Sequence, residues 1–168
     1  MGMYPGGNII RVTPELETDQ YSDGDVVFDP VEIPNAVSSR GGVSLLRNMY
    51  IIDKEKQTVD IQFSFFENST SIGTVNATAN VSHDDYVSGN FIGMWILDTD
   101  QALSADIDNL TVNMATDLNG GPDHNGPMLI KAASGSTSIY VTAHVSANGT
   151  PTYAADSLQL IFQIEYLG

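Results

Sequence analysis

Alternating apolar and polar positions dominate this chain, and they predict β-strands. The clearest run spans residues 58–66, where apolar side chains occupy every second position. One face of that run holds Val59, Ile61, Phe63 and Phe65. The segments 138–145 and 158–166 repeat the same alternation. A period of two over such lengths is typical of half-buried, mostly antiparallel strands.

Shorter apolar runs predict six further strands, separated by turns rich in glycine, asparagine and proline. These strands are Ile9–Val12, Val26–Phe28, Val43–Ile52, Phe91–Leu97, Leu110–Met114 and Met128–Ala132. A single segment, 82–89, predicts a helix of one or two turns. Ser82 is its N-cap, acidic residues follow in the first turn, and Gly89 ends it.

Eight or nine short strands with turns between them predict an all-β fold. The expected architecture is a single β-sandwich of jelly-roll or Greek-key type, with an extended N-terminal arm and one short helix. Residues 1–24 are predicted to form a flexible tail and the extended arm, and residues 25–168 the sandwich domain. The tail is expected at residues 1–8, which contain glycine and proline and little that could enter a core.

Composition limits the classes of function. The 168 residues are 42% hydrophobic, enough for a core, and carry a net charge of −15. Such acidity repels phosphates and anionic membranes, so we expect neither nucleic acid nor a membrane as partner. The absence of cysteine excludes disulfides and thiolate metal sites. Five of the six basic residues lie between Arg11 and Lys56, so the first third is closer to neutral.

The sequence offers little chemistry for catalysis. The three histidines, His83, His124 and His144, share no metal-binding spacing, and no serine lies in a Gly-x-Ser-x-Gly motif. His144 is predicted on the outward phase of its strand, as a solvated or edge residue. We therefore expect no enzyme, no catalytic residue and no cofactor.

The loops raise two weaker binding hypotheses. Asp98, Asp100, Asp106 and Asp108 bracket one loop, and their oxygens could hold a structural calcium ion. EF-hand spacing is absent, and a solvated acidic loop explains the same residues. Several aromatic side chains could stack on sugars if exposed, although Trp95 is predicted to be core. The tyrosines considered are Tyr4, Tyr21, Tyr86 and Tyr153. Five Asn-x-Ser/Thr triplets are interpreted as ordinary exposed-loop composition.

Several short motifs resemble small virion proteins of tailed bacteriophages. The first is Tyr21-Ser22-Asp23-Gly24-Asp25-Val26-Val27-Phe28-Asp29, followed by Glu32-Ile33-Pro34-Asn35-Ala36-Val37. The match continues through Gly41-Gly42 to Ile51-Ile52-Asp53-Lys54. It resumes at Leu129-Ile130-Lys131-Ala132-Ala133-Ser134-Gly135 and Thr150-Pro151-Thr152-Tyr153. The long acidic loop from Asp98 to Asn125 and the scarcity of Lys and Arg depart from the pattern.

The resemblance implies a capsid decoration (cement) protein on the outer surface of the phage head, with no catalytic residues. Its expected partner is the major capsid protein, and its expected assembly is a homotrimer. Docking is predicted through the N-terminal third, which holds apolar runs and most of the positive charge. The predicted docking residues are Arg11, Val26, Phe28, Ile33, Arg40 and Arg47. The alternative is a tail or head-fibre module that binds host glycans.

Overall fold

A computed structural model describes residues 6–100, 104–117, 126–147 and 149–167. Within these ranges it has ten strands and one short helix, which confirms the all-β prediction. The first strands are β1 (Gly7–Val12), β2 (Val26–Ile33), β3 (Val43–Asp53) and β4 (Asp60–Phe66). Helix α1 (His83–Gly89) precedes β5 (Phe91–Leu97), β6 (Ser104–Ile107) and β7 (Leu110–Asp117). The last strands are β8 (Met128–Lys131), β9 (Ile139–Ala147) and β10 (Leu158–Tyr166).

All ten strands belong to one antiparallel sheet that folds over on itself. The strand order is β1-β10-β3-β7-β5-β4-β9-β2, while β6 pairs with β7 and β8 pairs with the start of β3. Within the described residues, where β7 is followed as far as Asp117, two residue pairs join β7 to β5. This narrow junction divides the sheet into a first half (β1, β10, β3, β7, β6, β8) and a second half (β5, β4, β9, β2).

The inner faces of the two halves pack against each other, as the sandwich prediction requires. Phe65 of β4 meets Phe162 of β10 edge to face, with ring centroids 6.2 Å apart. Phe65 also meets Trp95 of β5 at 6.4 Å, and Trp95 is buried as predicted. The predicted inner face of β4 is confirmed, since Ile61, Phe63 and Phe65 are all buried together with Val59.

Side chains that point outward from the second half are buried too, which the alternation did not predict. Ser64 and Phe66 point away from the main core, yet both are fully buried. They lie beneath the segment between β4 and β5, which contains α1. Phe66 forms a second apolar cluster there with Val26 and Ile72. The segment 67–90 therefore covers one side of the sandwich as an additional layer.

Helix α1 begins as the sequence predicts. The Ser82 side chain accepts a hydrogen bond from the Asp85 backbone N–H at 3.2 Å, and the Asp85 carboxylate accepts one from the Ser82 backbone N–H at 2.8 Å. Hydrogen bonds from Ser82 lower the pKa of Asp85. The helix ends at Gly89, and Asn90 follows in the left-handed conformation with φ 52°.

The N-terminal segment packs on the domain within the residues described. Residues 7–12 form β1, which pairs along its whole length with β10. Between β1 and β2, Leu16 and Tyr21 are buried. The Tyr21 hydroxyl donates to the Val27 carbonyl at 3.1 Å and accepts from the Glu17 N–H at 2.8 Å. The predicted arm therefore lies against the sandwich and contributes side chains to its core.

His144 occupies the outward phase of β9, as predicted, but the residue is only partly exposed. In register it lies between Val26 of β2 and Gln62 of β4 on the covered side of the second half. Its Nδ1 is buried and has no hydrogen-bond partner among the described residues. Burial lowers the pKa of the His144 imidazole below its ordinary value, because the charged form loses hydration there.

The tight contact at Gly89 predicts a cost for any side chain at that position. A Cβ there would lie 2.3 Å from Thr70 Oγ1 and 2.8 Å from Phe66 Cδ1. We expect Gly89→Ala to lower the free energy of unfolding by about 1–3 kcal/mol, measured by urea titration. Gly126→Ala is the control, since no heavy atom lies within 4 Å of its Cβ position. Equal stability of the two variants would contradict the packing described here.

The half-buried imidazole of His144 predicts a loss of stability in mild acid. The unfolded chain protonates His144 near its usual pKa of about 6.5, whereas the folded chain does so only at lower pH. Stability from this residue is therefore complete above that value and declines as pH falls below it. Urea midpoints measured from about pH 7.5 to about pH 5.5 should fall less for His144→Gln than for wild type. The exposed His83 provides the control, and His83→Gln should retain the wild-type slope.

Candidate interaction surface

The outer face of the first half carries rows of apolar side chains. Alternation and register place Ile161 of β10 between Arg11 of β1 and Tyr50 of β3. The next row holds Ile52 of β3 beside Val112 of β7. All of these side chains are at least partly exposed, whereas their strand neighbours Leu160, Phe162 and Ile51 are fully buried. We call this set of outward side chains on β1, β10, β3, β7 and β8 the outer face.

Large apolar side chains at the margins of the outer face are strongly exposed. Ile9 of β1 is 52% exposed, and Leu129 of β8 is 58% exposed beside Leu45 of β3. Single exposed apolar residues are common on proteins, but contiguous rows mark interaction surfaces. The outer face has the character of such a surface.

Positive charge is concentrated on the same half of the sheet. Every Lys and Arg lies on or within a few residues of β1, β3 or β8, whereas β2, β9, β4, β5 and α1 contain none. On β1, β3, β8 and β10 the outward charged side chains are Arg11, Arg47, Lys131 and Glu165. Three cations and one anion thus occupy this surface of a protein whose net charge is −15.

A β-bulge turns Arg47 toward solvent. Leu46 pairs with Ile164 and Asn48 with Gln163, so Arg47 is the extra residue between them. Its guanidinium Nε donates to Glu165 Oε2 at 2.6 Å. Lys131 Nζ likewise lies 3.0 Å from Glu67 Oε1. Arg11 makes no ion pair with the described residues, and its side chain is exposed. Of the outward cations on this face, Arg11 is therefore the one most accessible to an external anion.

The structure divides the predicted docking residues into two groups. Arg11, Arg40 and Arg47 are exposed. Val26, Phe28 and Ile33 are buried, so the prediction that they form surface contacts is wrong. Phe28 and Ile33 enter the main core, and Val26 enters the cluster under the segment 67–90. The apolar run on β2 is therefore explained by burial on both sides of the sheet.

The described acidic residues do not converge on a metal. Among them, with histidines included, no group of three or more could hold an ion. Asp106 pairs with Lys56 Nζ at 2.6 Å, and the same Nζ donates to the Asp108 carbonyl at 3.0 Å. Asp98 Oδ1 accepts from the Asp100 backbone N–H at 3.0 Å. The calcium candidates thus engage neighbouring protein groups.

The aromatic side chains considered for sugar stacking are largely inside the protein. Tyr21 and Tyr153 are buried and meet edge to face at 6.0 Å. Tyr86 is partly buried and packs against Phe66 and Phe91. Tyr4 and His124 lie outside the described residues. No described helix is long and apolar enough to span a bilayer.

Neighbouring residues of β10 test whether the outer face is needed for folding. Phe162→Ala removes a ring from the core and should cost about 3–5 kcal/mol of unfolding free energy. Ile161→Thr keeps a β-branched side chain on the outer face and should change it by about 0.5 kcal/mol or less. Chemical denaturation of both variants measures the difference. A large loss at Ile161 would mean that this face is part of the fold's own packing.

Comparison of this chain with solved structures finds neighbours of low similarity. No protein-family model and no curated protein matches the chain. A structure of desmodium yellow mottle tymovirus aligns with a TM-score of 0.28 and 13% identity, over 98% of this chain and 82% of that one. A structure of the empty head of turnip yellow mosaic virus aligns with a TM-score of 0.25 and 6% identity, over the same shares. Both neighbours are plant-virus particles with low similarity to this chain.

Proposed function

We propose that this protein is a non-enzymatic structural component of a virion, a decoration protein that binds the outside of a tailed-phage head. The sequence motifs between Tyr21 and Tyr153 that resemble small phage virion proteins support the assignment to a virion. The observation that carries the binding role is the outer face, where apolar rows and cations meet on one side of a strongly acidic protein.

The arrangement of charge suits attachment in a single orientation. The second half of the sheet and its covering segment have no Lys or Arg, so they repel other acidic surfaces. The outer face lacks that repulsion and offers Tyr50, Ile52 and Ile161 for burial. Docked through this face on the major capsid protein, the molecule clamps adjacent capsomers and turns its acidic side to solvent. Decorated particles then repel one another.

A homotrimer is the assembly we propose on the head. Threefold and local threefold positions of a capsid present three equivalent surfaces, and a trimer engages them together. Contacts that are weak singly become strong when three act at once. The alternative role, a tail or fibre module that binds host glycans, gains no support from Tyr21, Tyr153 or Trp95, because all three are buried.

Attachment to heads tests the proposed function directly. Purified protein is mixed with heads of the source phage that lack it, the heads are sedimented, and bound protein is measured against concentration. We expect saturation at hundreds of copies per head and regular density at threefold positions in electron micrographs. Leu129→Glu, which places a charge on the outer face, should weaken binding at least about tenfold.

The matched control is Val87→Glu on α1. Val87 is 59% exposed and Leu129 is 58% exposed, so both variants put the same charge at equally open positions. Val87→Glu should bind like wild type. Equal losses in the two variants would show that docking does not use the outer face. A handful of copies per particle, or no attachment by the wild type, would refute the decoration role.

A further inference from the structure

We infer that the surface bound by the outer face carries carboxylates, and that Arg11 is the residue that binds them. This inference rests on the proposed function and specifies the chemistry of the partner. Arg11 lies in register with Ile161 and Tyr50, so its guanidinium stands at the edge of an apolar row. A partner that covers this row must also meet that charge.

The other two outward cations already have anionic partners within the chain. Arg47 is bonded to Glu165, and Lys131 is bonded to Glu67. Arg11 has no such ion pair among the described residues, and residues 1–5, which precede them, contain no acid in the sequence. Covering Arg11 with an apolar surface would leave a charge without water or counter-ion, which is unfavourable. A facing carboxylate removes this cost.

Guanidinium chemistry selects the kind of anion. The planar fork of arginine binds a carboxylate through two parallel hydrogen bonds, a geometry that lysine cannot match. The net negative charge of the protein repels an acidic partner only at short distances, because physiological salt screens interactions between charges that are more than roughly 8 Å apart. Close to the outer face, Glu165 and Glu67 already balance Arg47 and Lys131, so Arg11 is the cation that attracts an external carboxylate. A carboxylate-bearing protein surface is attracted there and repelled elsewhere, which fixes the docking orientation.

Charge reversal at two basic residues tests the inference. Arg11→Glu and Lys54→Glu change the net charge equally, and both residues are exposed, but Lys54 follows the end of β3, where it pairs with Asp156, and is not among the outer-face side chains. In the head-binding assay we expect Arg11→Glu to weaken attachment at least about tenfold, and Lys54→Glu to stay within about twofold of wild type. Arg11→Lys should fall between them, since it keeps the charge but loses the fork.

Salt and folding controls complete the experiment. Attachment of the wild type should weaken as sodium chloride rises, and Arg11→Gln should depend less on salt. Unfolding midpoints of every variant are measured, and Arg11→Gln replaces Arg11→Glu if the reversal disturbs β1. If the wild type binds heads and the Arg11 variants bind equally well, the inference is refuted but the proposed function is not. Failure of the wild type to attach refutes both. An effect of Arg11→Glu on the sedimentation mass of the free protein, and none on head binding, would show that a second copy is the occupant.

Discussion

The contact between Phe65 and Phe162 joins the two halves of the sheet, and the rest of the molecule depends on it. Within the described residues, the halves are linked along the sheet by two residue pairs between β5 and β7. Burial of the facing inner surfaces therefore supplies most of the described contacts between the two halves. Because aromatic and aliphatic side chains fill this interface, each strand that crosses it has one face committed to the core. The proposed binding of another molecule therefore uses the opposite, outward face of these strands.

The two outward sides of the sandwich differ in whether a segment of the chain covers them. The segment 67–90 covers the second half, burying Ser64, Phe66 and Thr142 and leaving His144 with an unpaired ring nitrogen. The first half keeps Tyr50, Ile52 and Ile161 partly open to solvent. One side of the protein is thus covered by a segment of its own chain, and the other retains apolar surface that no described segment covers. The distribution of lysine and arginine follows the same division.

Local patterns in the sequence predicted the elements that depend on local physics. Strict alternation identified β4, β9 and β10, and the Ser82 cap with its neighbouring acids identified α1. The missed features depend on partners distant in sequence. The apolar run of β2 was interpreted as a docking surface because its cover, around Ile72, lies far along the chain. The sequence pattern does not reveal the outer face, because only the register of β1, β10 and β3 brings Arg11, Ile161 and Tyr50 into one row.

Strand β10 lies between β1 and β3, so it joins segments from the beginning and the middle of the described chain. On a ribosome, β1 emerges long before the strand with which it pairs. Sheet closure must therefore wait until residues 158–166 are available, and non-local pairing of this kind is slow. During that interval the apolar inner faces and the unpaired β1 are open to other chains. High-level synthesis of this protein consequently favours conditions that keep the concentration of incomplete chains low, since encounters between incomplete sheets increase with that concentration.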